Sequence, residues 1–556
     1  MWEAYSYDVK GSGTQNPPKN LDKVILKQLQ SKRGALYDQS GYPKLVNGHV
    51  KLVFASIYPL EKGFLFKRVK ALPNPDSTTF INVSVARNFL LKLVTKYPKQ
   101  RLNELRDGEY WKQFKEEYNY YFKSSTNGTG KKDVPVRKGS SHEIKKLINH
   151  PDFGLKDQLQ FKDKGQYTIL DGNNLPPASY EGDTVYTVLT VEGMGFITQN
   201  CGPESCYPLQ LAPKSEILNR IKFIKEQTPI FFITFCHHFN NHVCGHARSF
   251  VRITKLVKMN QEEFLDRGLT ALGMELLQNL LSISKDQDGT VHNAQDLGRR
   301  ILVDMKHMSY NGRAAVIELV GKYNATHTDD KIPLIASHSG FTNLSERQMT
   351  RRLAIDEDEK NRELGLTQSV RVDIEDLGME ARYNSWSINL YKEEIKAIVD
   401  SDGLIGLSFE QNIVGIAFIG GKKGYKIKGK KKLKSKIEAV RNKYTQLIVG
   451  QLCAMAKAGG PGLWKCISIG TDFDGLIDPL DGFSSALCFE LVRTELIKEL
   501  GKIKPAVRGT YHLPTASEEI EELVDDFCFN NAARFVQIHF KSPMPVAHKL
   551  DPLSSP

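Results

Sequence analysis

Six residues of this 556-residue chain have the types that metal-assisted hydrolysis needs: Glu192, His237, His238, His307, His338 and Asp472. Zinc takes imidazole nitrogen and carboxylate oxygen, and a catalytic zinc site keeps one position open for water. Glu192, His307 and His338 meet that need. Asp472 is a carboxylate that could take a proton from an activated water and pass it to a leaving amine. An uncharged His237 could donate to a developing oxyanion. These are roles in the hydrolysis of an amide or a related bond.

Each residue alone has a plainer reading. A single histidine in VDMKHMS or IASHSG is usually not a ligand. Asp472 and Asp474 in GTDFDG could form a tight polar turn, and Glu192 before a glycine could be a loop carboxylate. Their common setting favours the metal-site reading. Each lies at the end of an apolar, strand-like run, and they follow one another in strand order.

The runs are 51–59 (KLVFASIYP), 186–193 (YTVLTVEG), 230–238 (IFFITFCHH), 300–307 (RILVDMKH), 333–339 (PLIASHS), 403–411 (GLIGLSFEQ) and 466–475 (CISIGTDFDG). Most are continuously apolar rather than alternating, which suits strands buried on both faces of a parallel sheet. Helical spacing is expected at 110–123, 261–284 and 434–458. Strands alternating with helices predict an α/β fold. A TIM-type (β/α)8 barrel places its active site at the carboxyl ends of the strands, where these six residues stand, but it needs eight strands and seven are visible.

The composition, 40% hydrophobic and 25% charged, is that of a globular protein and excludes a disordered, collagen-like or disulfide-dense chain. No apolar run is long enough for a transmembrane helix. The net charge of +12 is local. Nine lysines lie in 422–436, and without them 67 basic residues face 64 acidic ones, a balance of +3. That stretch holds one aromatic residue, Tyr425. It reads as a solvated lysine-rich loop (421–437), not as a nucleic-acid site. Eight cysteines with no CxxC pair read as reduced thiols. The amino terminus carries no signal-peptide pattern, so the sequence as it stands reads as cytoplasmic. The expected organisation is an irregular segment over 1–45, a barrel with long insertions over 46–540, and a flexible Pro/Ser-rich tail over 541–556.

The motifs VEGMGF, FCHHFNN, VDMKHMS, IASHSG and ISIGTDFDG together resemble the membrane (renal) dipeptidase family of zinc metallopeptidases, in the amidohydrolase superfamily. Asn531 in NNAARF resembles that family's late motif. The resemblance spans roughly residues 45–540. It implies a (β/α)8 barrel with two zinc ions and hydrolysis of a dipeptide. It also implies roles: Glu192 bridging the two ions, His307 and His338 completing the second, Asp472 as acid and base, and His237 on the tetrahedral intermediate. The implied partner is a small peptide or amide substrate; a homodimer is one assembly the sequence leaves open.

Two departures qualify it. The family's first strand carries a His-x-Asp or His-x-His pair for the other ion, and no such pair precedes residue 51. The expectation is that the first strand lies upstream of Met1, so that only one metal site is fully represented in this chain. The competing expectation is an inactive or one-metal relative that serves as a binding protein. The family also holds the substrate carboxylate with an Arg-Asn pair. Here RYNSWSINL offers Asn384 for the asparagine and Tyr383 where the arginine belongs, with Arg382 adjacent. That leaves open a substrate such as a lactone or an N-acyl amino acid. Trp386 reads as a packed side chain.

Overall fold

The computed structural model describes residues 39–70, 80–84, 103–106, 108–122, 166–200, 210–249, 261–346, 348, 369–374, 377, 379–415, 430–475, 477, 479–480, 482–483, 485–541 and 543–554. Eight parallel strands form one sheet: β1 (Leu52–Ile57), β2 (Gln166–Ile169), β3 (Thr184–Glu192), β4 (Phe232–Thr234), β5 (Leu302–Asp304), β6 (Ile335–Ser339), β7 (Leu404–Leu407) and β8 (Ile467–Ile469). Their order is β1-β3-β4-β5-β6-β7-β8, and β2 pairs alongside the first half of β3. Register follows from pairs such as Ala55 with Leu189, Val303 with Ile233, Asp304 with Ile335 and Ser468 with Gly406.

Parallel neighbours need a crossover, and helices supply it. Lys214–Gln227 leads into β4, Ala271–Leu281 into β5, Tyr310–Thr326 into β6, Lys392–Asp400 into β7 and Lys430–Gly459 into β8. The strands are buried on both faces. Val185, Leu189, Val191, Ile233, Val303 and Ile405 pack with the surrounding helices. Val188, Phe231, Leu302, Ile335 and Leu404 form a second cluster, joined by Phe535 and Val536 of the helix Asn531–His539. One cavity of about 520 Å³ is lined by Phe54, Thr190, Phe232, Ile335, Leu404 and Ser468, which come from six strands. Side chains from opposite ends of a sheet reach one cavity only if the sheet curls. This is a TIM-type α/β architecture with β1 and β8 at the ends of the strand path.

All seven runs read from the sequence contain a strand of that path. β2 was not foreseen. It pairs with β3 only and does not stand between β8 and β1. The helix expected at 261–284 is confined to Ala271–Leu281. Phe264 and Asp266 have positive φ, and the Thr270 hydroxyl caps the helix by accepting from the Gly273 amide. Such a cap fixes a helix start that apolar spacing alone runs past.

Three boundaries are corrected. The lysine-rich stretch is not a loop throughout: Lys430 opens the helix Lys430–Gly459, and 421–429 lie outside the described residues. The segment 1–45 is not irregular at its end. A helix begins at Tyr42, and Gln39 and Ser40 are bonded to Asp474 through their amides, at 2.9 and 3.0 Å. The tail is docked. Ala547 N donates to Asp171 Oδ2 (2.8 Å), Gly172 N donates to Pro545 O (3.0 Å), and Leu550 exchanges two hydrogen bonds with Asn119. Leu550 is buried in the core, so apolar contact as well as hydrogen bonding holds this segment. Among the described residues no helix is long and apolar enough to cross a membrane. The six described cysteines are free thiols.

Candidate metal centre

Five strand ends deliver the central groups. Glu192 is the last residue of β3. Gly193 follows with φ +86°, and a Cβ there would lie 3.1 Å from His237 Cβ, so glycine lets the two segments lie together. His237 and His238 come three and four residues after β4. His307 comes three after β5, with φ +65°, a conformation a non-glycine residue holds only when its surroundings impose it. Two residues later Ser309 caps the helix Tyr310–Thr326, its hydroxyl accepting from the Gly312 amide at 3.0 Å. His338 lies within β6, and Asp472 follows β8 with φ +57°. A Cβ on Gly475 would strike Asp472 Oδ1, so that turn also needs glycine.

Glu192 Oε1 is at the middle. It lies 3.3 Å from His237 Nε2 and 3.6 Å from both His307 Nε2 and His338 Nε2. The His307 and His338 Nε2 atoms are 3.1 Å apart. Asp472 Oδ2 is 4.0 Å from His338 Nε2. Ligands about 2.0–2.1 Å from a tetrahedral zinc are spaced by about 3.3–3.4 Å. The Glu192, His307, His338 triangle, with edges of 3.1, 3.6 and 3.6 Å, departs from that by a few tenths of an ångström. The residues present therefore fit a zinc-like ion in spacing and donor chemistry. All three are buried, and His307 Nδ1 is a buried nitrogen without a hydrogen-bond partner.

Charge is distributed unevenly. Burial alone raises the Glu192 carboxyl, but His237 and the other imidazoles outweigh it and hold Glu192 well below the usual carboxylate range. Burial alone lowers His237, but the flanking Glu192 and Glu61 carboxylates outweigh it and push it up to about 10. Burial, then His237, holds His307 well below the usual histidine range. Burial, then Lys306, pushes His338 down to about 3. Without a metal, the surroundings favour the charged form of His237, between its two carboxylates, and the neutral, metal-ligating form of His307 and His338. The flanking carboxylates, Glu192 first and then Glu61, thus favour the charged form of His237 over the uncharged one expected from the sequence. Burial and Glu192 together push the Asp472 carboxyl well above its usual range.

Glu61 was not singled out in the sequence. It lies just past β1, and its Oε2 is 2.7 Å from His237 Nδ1 and accepts from the His238 amide. The rule that strand ends carry the chemistry would have found it. Asp304, in the motif already quoted for His307, accepts from the Thr234 and Ser337 hydroxyls (2.7 and 2.6 Å) and from the Ser337 and Lys306 amides (2.9 and 3.0 Å). One buried carboxylate thus pins β4, β5 and β6 directly beneath the centre. Lys306 is buried with no hydrogen-bond partner on Nζ. Burial pushes it down to about 8 against the pull of Asp472 and Asp304.

Two residues noted in the sequence serve the framework. Asn384 Nδ2 donates to Asn412 O (2.6 Å) and its Oδ1 accepts from Trp386 N (3.0 Å), so its side chain is engaged by backbone of the neighbouring loops. Asn531 Nδ2 donates to Trp464 O and Ile467 O, which fixes the start of β8. Trp386 packs against Ala247, Ile388 and Ile413. The two aspartates of GTDFDG divide their work: Asp472 faces the centre and Asp474 anchors Gln39 and Ser40. The Arg382 side chain lies outside the described residues.

No family model matches the chain, and no curated protein does. Among solved structures it is similar to dipeptidase AC, a metallopeptidase of family M19, at 12% identity over 93% of this chain and 96% of that one, with a TM-score of 0.39. It is similar to a Rhodobacter sphaeroides metallopeptidase liganded with a phosphinate mimic of the dipeptide L-Ala-D-Ala, at 12% identity over 93% and 96%, with a TM-score of 0.40. It is also similar to the probable dipeptidase PvdM of Pseudomonas aeruginosa, at 13% identity over 90% and 88%, with a TM-score of 0.36.

Proposed function

We propose that this chain is a metal-dependent hydrolase which holds zinc on Glu192, His307 and His338 and cleaves the amide bond of a small peptide, dipeptides first. The observation that carries this reading is the convergence of one carboxylate oxygen and two imidazole nitrogens within 3.6 Å, with Asp472 Oδ2 4.0 Å from His338. The dipeptide rests on the resemblance of the five motifs.

When bound, the ion supplies Lewis acidity for the scissile carbonyl and makes a water more acidic. Asp472 Oδ2 accepts the proton of the attacking water and returns it to the departing amine nitrogen. Its environment, which favours the protonated carboxyl, suits the second half of that cycle. His237, charged and fixed at Nδ1 by Glu61, presents Nε2 beside Glu192, where it can donate to the oxyanion. Asp304 keeps His307 and His338 in register by holding the strands that carry them. Glu192, His338 and Asp472 contribute to the wall of the 520 Å³ cavity, a volume within the usual range for a small-molecule site.

The test is to load purified protein with zinc, measure bound metal, and assay a panel of dipeptides, N-acyl amino acids and lactones. Metal-dependent dipeptide cleavage, lost in Asp472→Asn, is expected. Folded protein that binds no zinc overturns the metal reading; turnover of lactones or N-acyl amino acids alone overturns the dipeptide.

A further inference from the structure

We propose that a cavity at the amino ends of the strands binds a phosphorylated small molecule, at a site separate from the metal centre. The cavity measures about 860 Å³, within the usual range for small-molecule sites. Phe231 just before β4, Leu302 at the start of β5, Gly403 just before β7 and Cys466 just before β8 line it. The metal centre stands at the other ends of these strands, so the two sites face opposite ends of the sheet. The helix Asn531–His539 and the segment after it form one side of the cavity.

The lining carries six cations, Arg299, Arg300, Lys331, Lys465, Arg534 and Lys541, and three carboxylates, Asp329, Asp330 and Asp402. Two of the carboxylates are taken. Asp330 pairs with Arg300 at 2.9 Å and accepts from the Tyr323 hydroxyl, and Asp402 pairs with Lys331 at 2.9 Å. Asp329 is left against four cations. Arg534 Nη2 donates to two neutral oxygens, Lys465 O (2.6 Å) and Asn531 Oδ1 (2.7 Å). Lys465 and Lys541 are exposed, with no ion pair among the described residues.

The positive charge continues behind the wall. Arg299 makes five hydrogen bonds, all to backbone carbonyls: those of Ile224, Lys225, Thr228, Ile230 and Arg300. Lys225 is buried, and its Nζ donates to Asn279 O, Leu297 O and the hydroxyl of Ser282, a residue that itself lines the cavity. Neither cation has a carboxylate partner among the described residues. Carbonyls at helix ends satisfy the hydrogen bonds but carry only partial charge. Burial, then Arg299 and Arg300, pushes Lys225 down to about 7, and loss of water pushes Arg299 down to about 9. An anion in the cavity offsets this excess, because a concave, partly apolar wall concentrates the field of its charges.

The lining also selects the kind of anion. The excess is spread over separate side chains, which suits the two or more charges of a phosphate better than the single charge of a carboxylate. Phe231, Phe535, Ile538 and Met544 give the same cavity an apolar side, and Ile538 is left 46% exposed there. The ligand is therefore a phosphate ester with an apolar or aromatic body rather than a bare ion.

Calorimetric titration of the full chain, chelated and zinc-loaded, with adenosine monophosphate, phenyl phosphate, inorganic phosphate and benzoate tests this. One of the two esters is expected to saturate one site per chain, in both forms, more tightly than inorganic phosphate or benzoate. Lys465→Glu and Lys541→Glu, each at an exposed position, are expected to weaken it about 10- to 100-fold, the loss expected for a charged hydrogen bond, with zinc content unchanged. His338→Gln is expected to leave it as it was. Binding unchanged in both lysine variants, or lost in His338→Gln, overturns the proposal and assigns the anion to the metal centre. Benzoate or inorganic phosphate bound as tightly as the esters overturns the ligand class. No saturable binding of either ester overturns the site and leaves the proposed function standing, while a chain that binds the ester but no zinc keeps this site and loses that function.

Discussion

His307 and His338 face each other through Nε2 atoms 3.1 Å apart, although they come from different strands and are separated by 31 residues. Two neutral imidazoles can share one proton across that distance, but a cation between them and Glu192 Oε1 satisfies both nitrogens and the carboxylate at once.

Chelation will destabilise the protein. A metal that binds only the folded state contributes about 2.7 kcal/mol when free metal is 100 times its dissociation constant. Thermal unfolding of zinc-loaded protein is expected several degrees above that of the chelated form. His338→Gln should abolish most of that difference while changing the chelated form little. An equal zinc-induced shift in His338→Gln would remove His338 from the ligand set.

Asp472→Asn will keep its metal and lose its turnover. The amide retains the shape of the carboxylate but cannot carry the proton, and such groups contribute about 10²- to 10⁴-fold. The measurements are metal content and kcat on the best dipeptide. A variant that loses metal as well as rate would make Asp472 a ligand rather than a proton carrier.

Glu61→Ala will cost both stability and activity. It strips His237 Nδ1 of its partner and leaves the His238 and Phe239 amides without their carboxylate acceptor. Each buried donor so abandoned costs about 1–3 kcal/mol. Denaturant unfolding should show a loss in that range. Glu61→Gln should recover part of it, since its carbonyl still accepts one bond.

Acid will weaken the fold partly through His539, remote from the centre. Burial, then Lys541 and Arg300, pushes this imidazole down to about 4. An unfolded histidine titrates near 6.5. Between those values the unfolded chain binds a proton that the folded chain does not, so stability rises with pH there and falls on acidification. His539→Phe, which keeps the ring against Phe535, should lose less stability between pH 7 and 4.5 than the wild type. Identical urea midpoints shifts in the two proteins would rule the contribution out.

Much of the fold was legible because buried parallel strands leave a local mark. Seven apolar runs such as IFFITFC and PLIAS each contain a strand, and each must be apolar because both its faces are covered. The limits were less legible where order depends on distant partners. The docked tail looks disordered by composition, yet Asp171 and Asn119, more than 370 residues away, supply its hydrogen bonds. The start of the helix Ala271–Leu281 hung on one cap and two positive φ values.

The centre divides in the same way. The sequence by itself determined the inventory: Glu192, His237, His238, His307, His338 and Asp472 in order at strand ends, because the chemistry of a residue type and its place in a strand are local properties. Only the tertiary structure decided which of them meet and in what state of charge. Glu61 reaches His237 across 176 residues and joins Glu192 in favouring its charged form, while burial in the same fold favours neutral His307 and His338. Asn384, chosen by motif, is held by the backbone at Asn412 and Trp386. Electrostatic energies in a buried site depend on distances of a few ångströms between groups far apart in the chain, and those distances exist only once the sheet has curled.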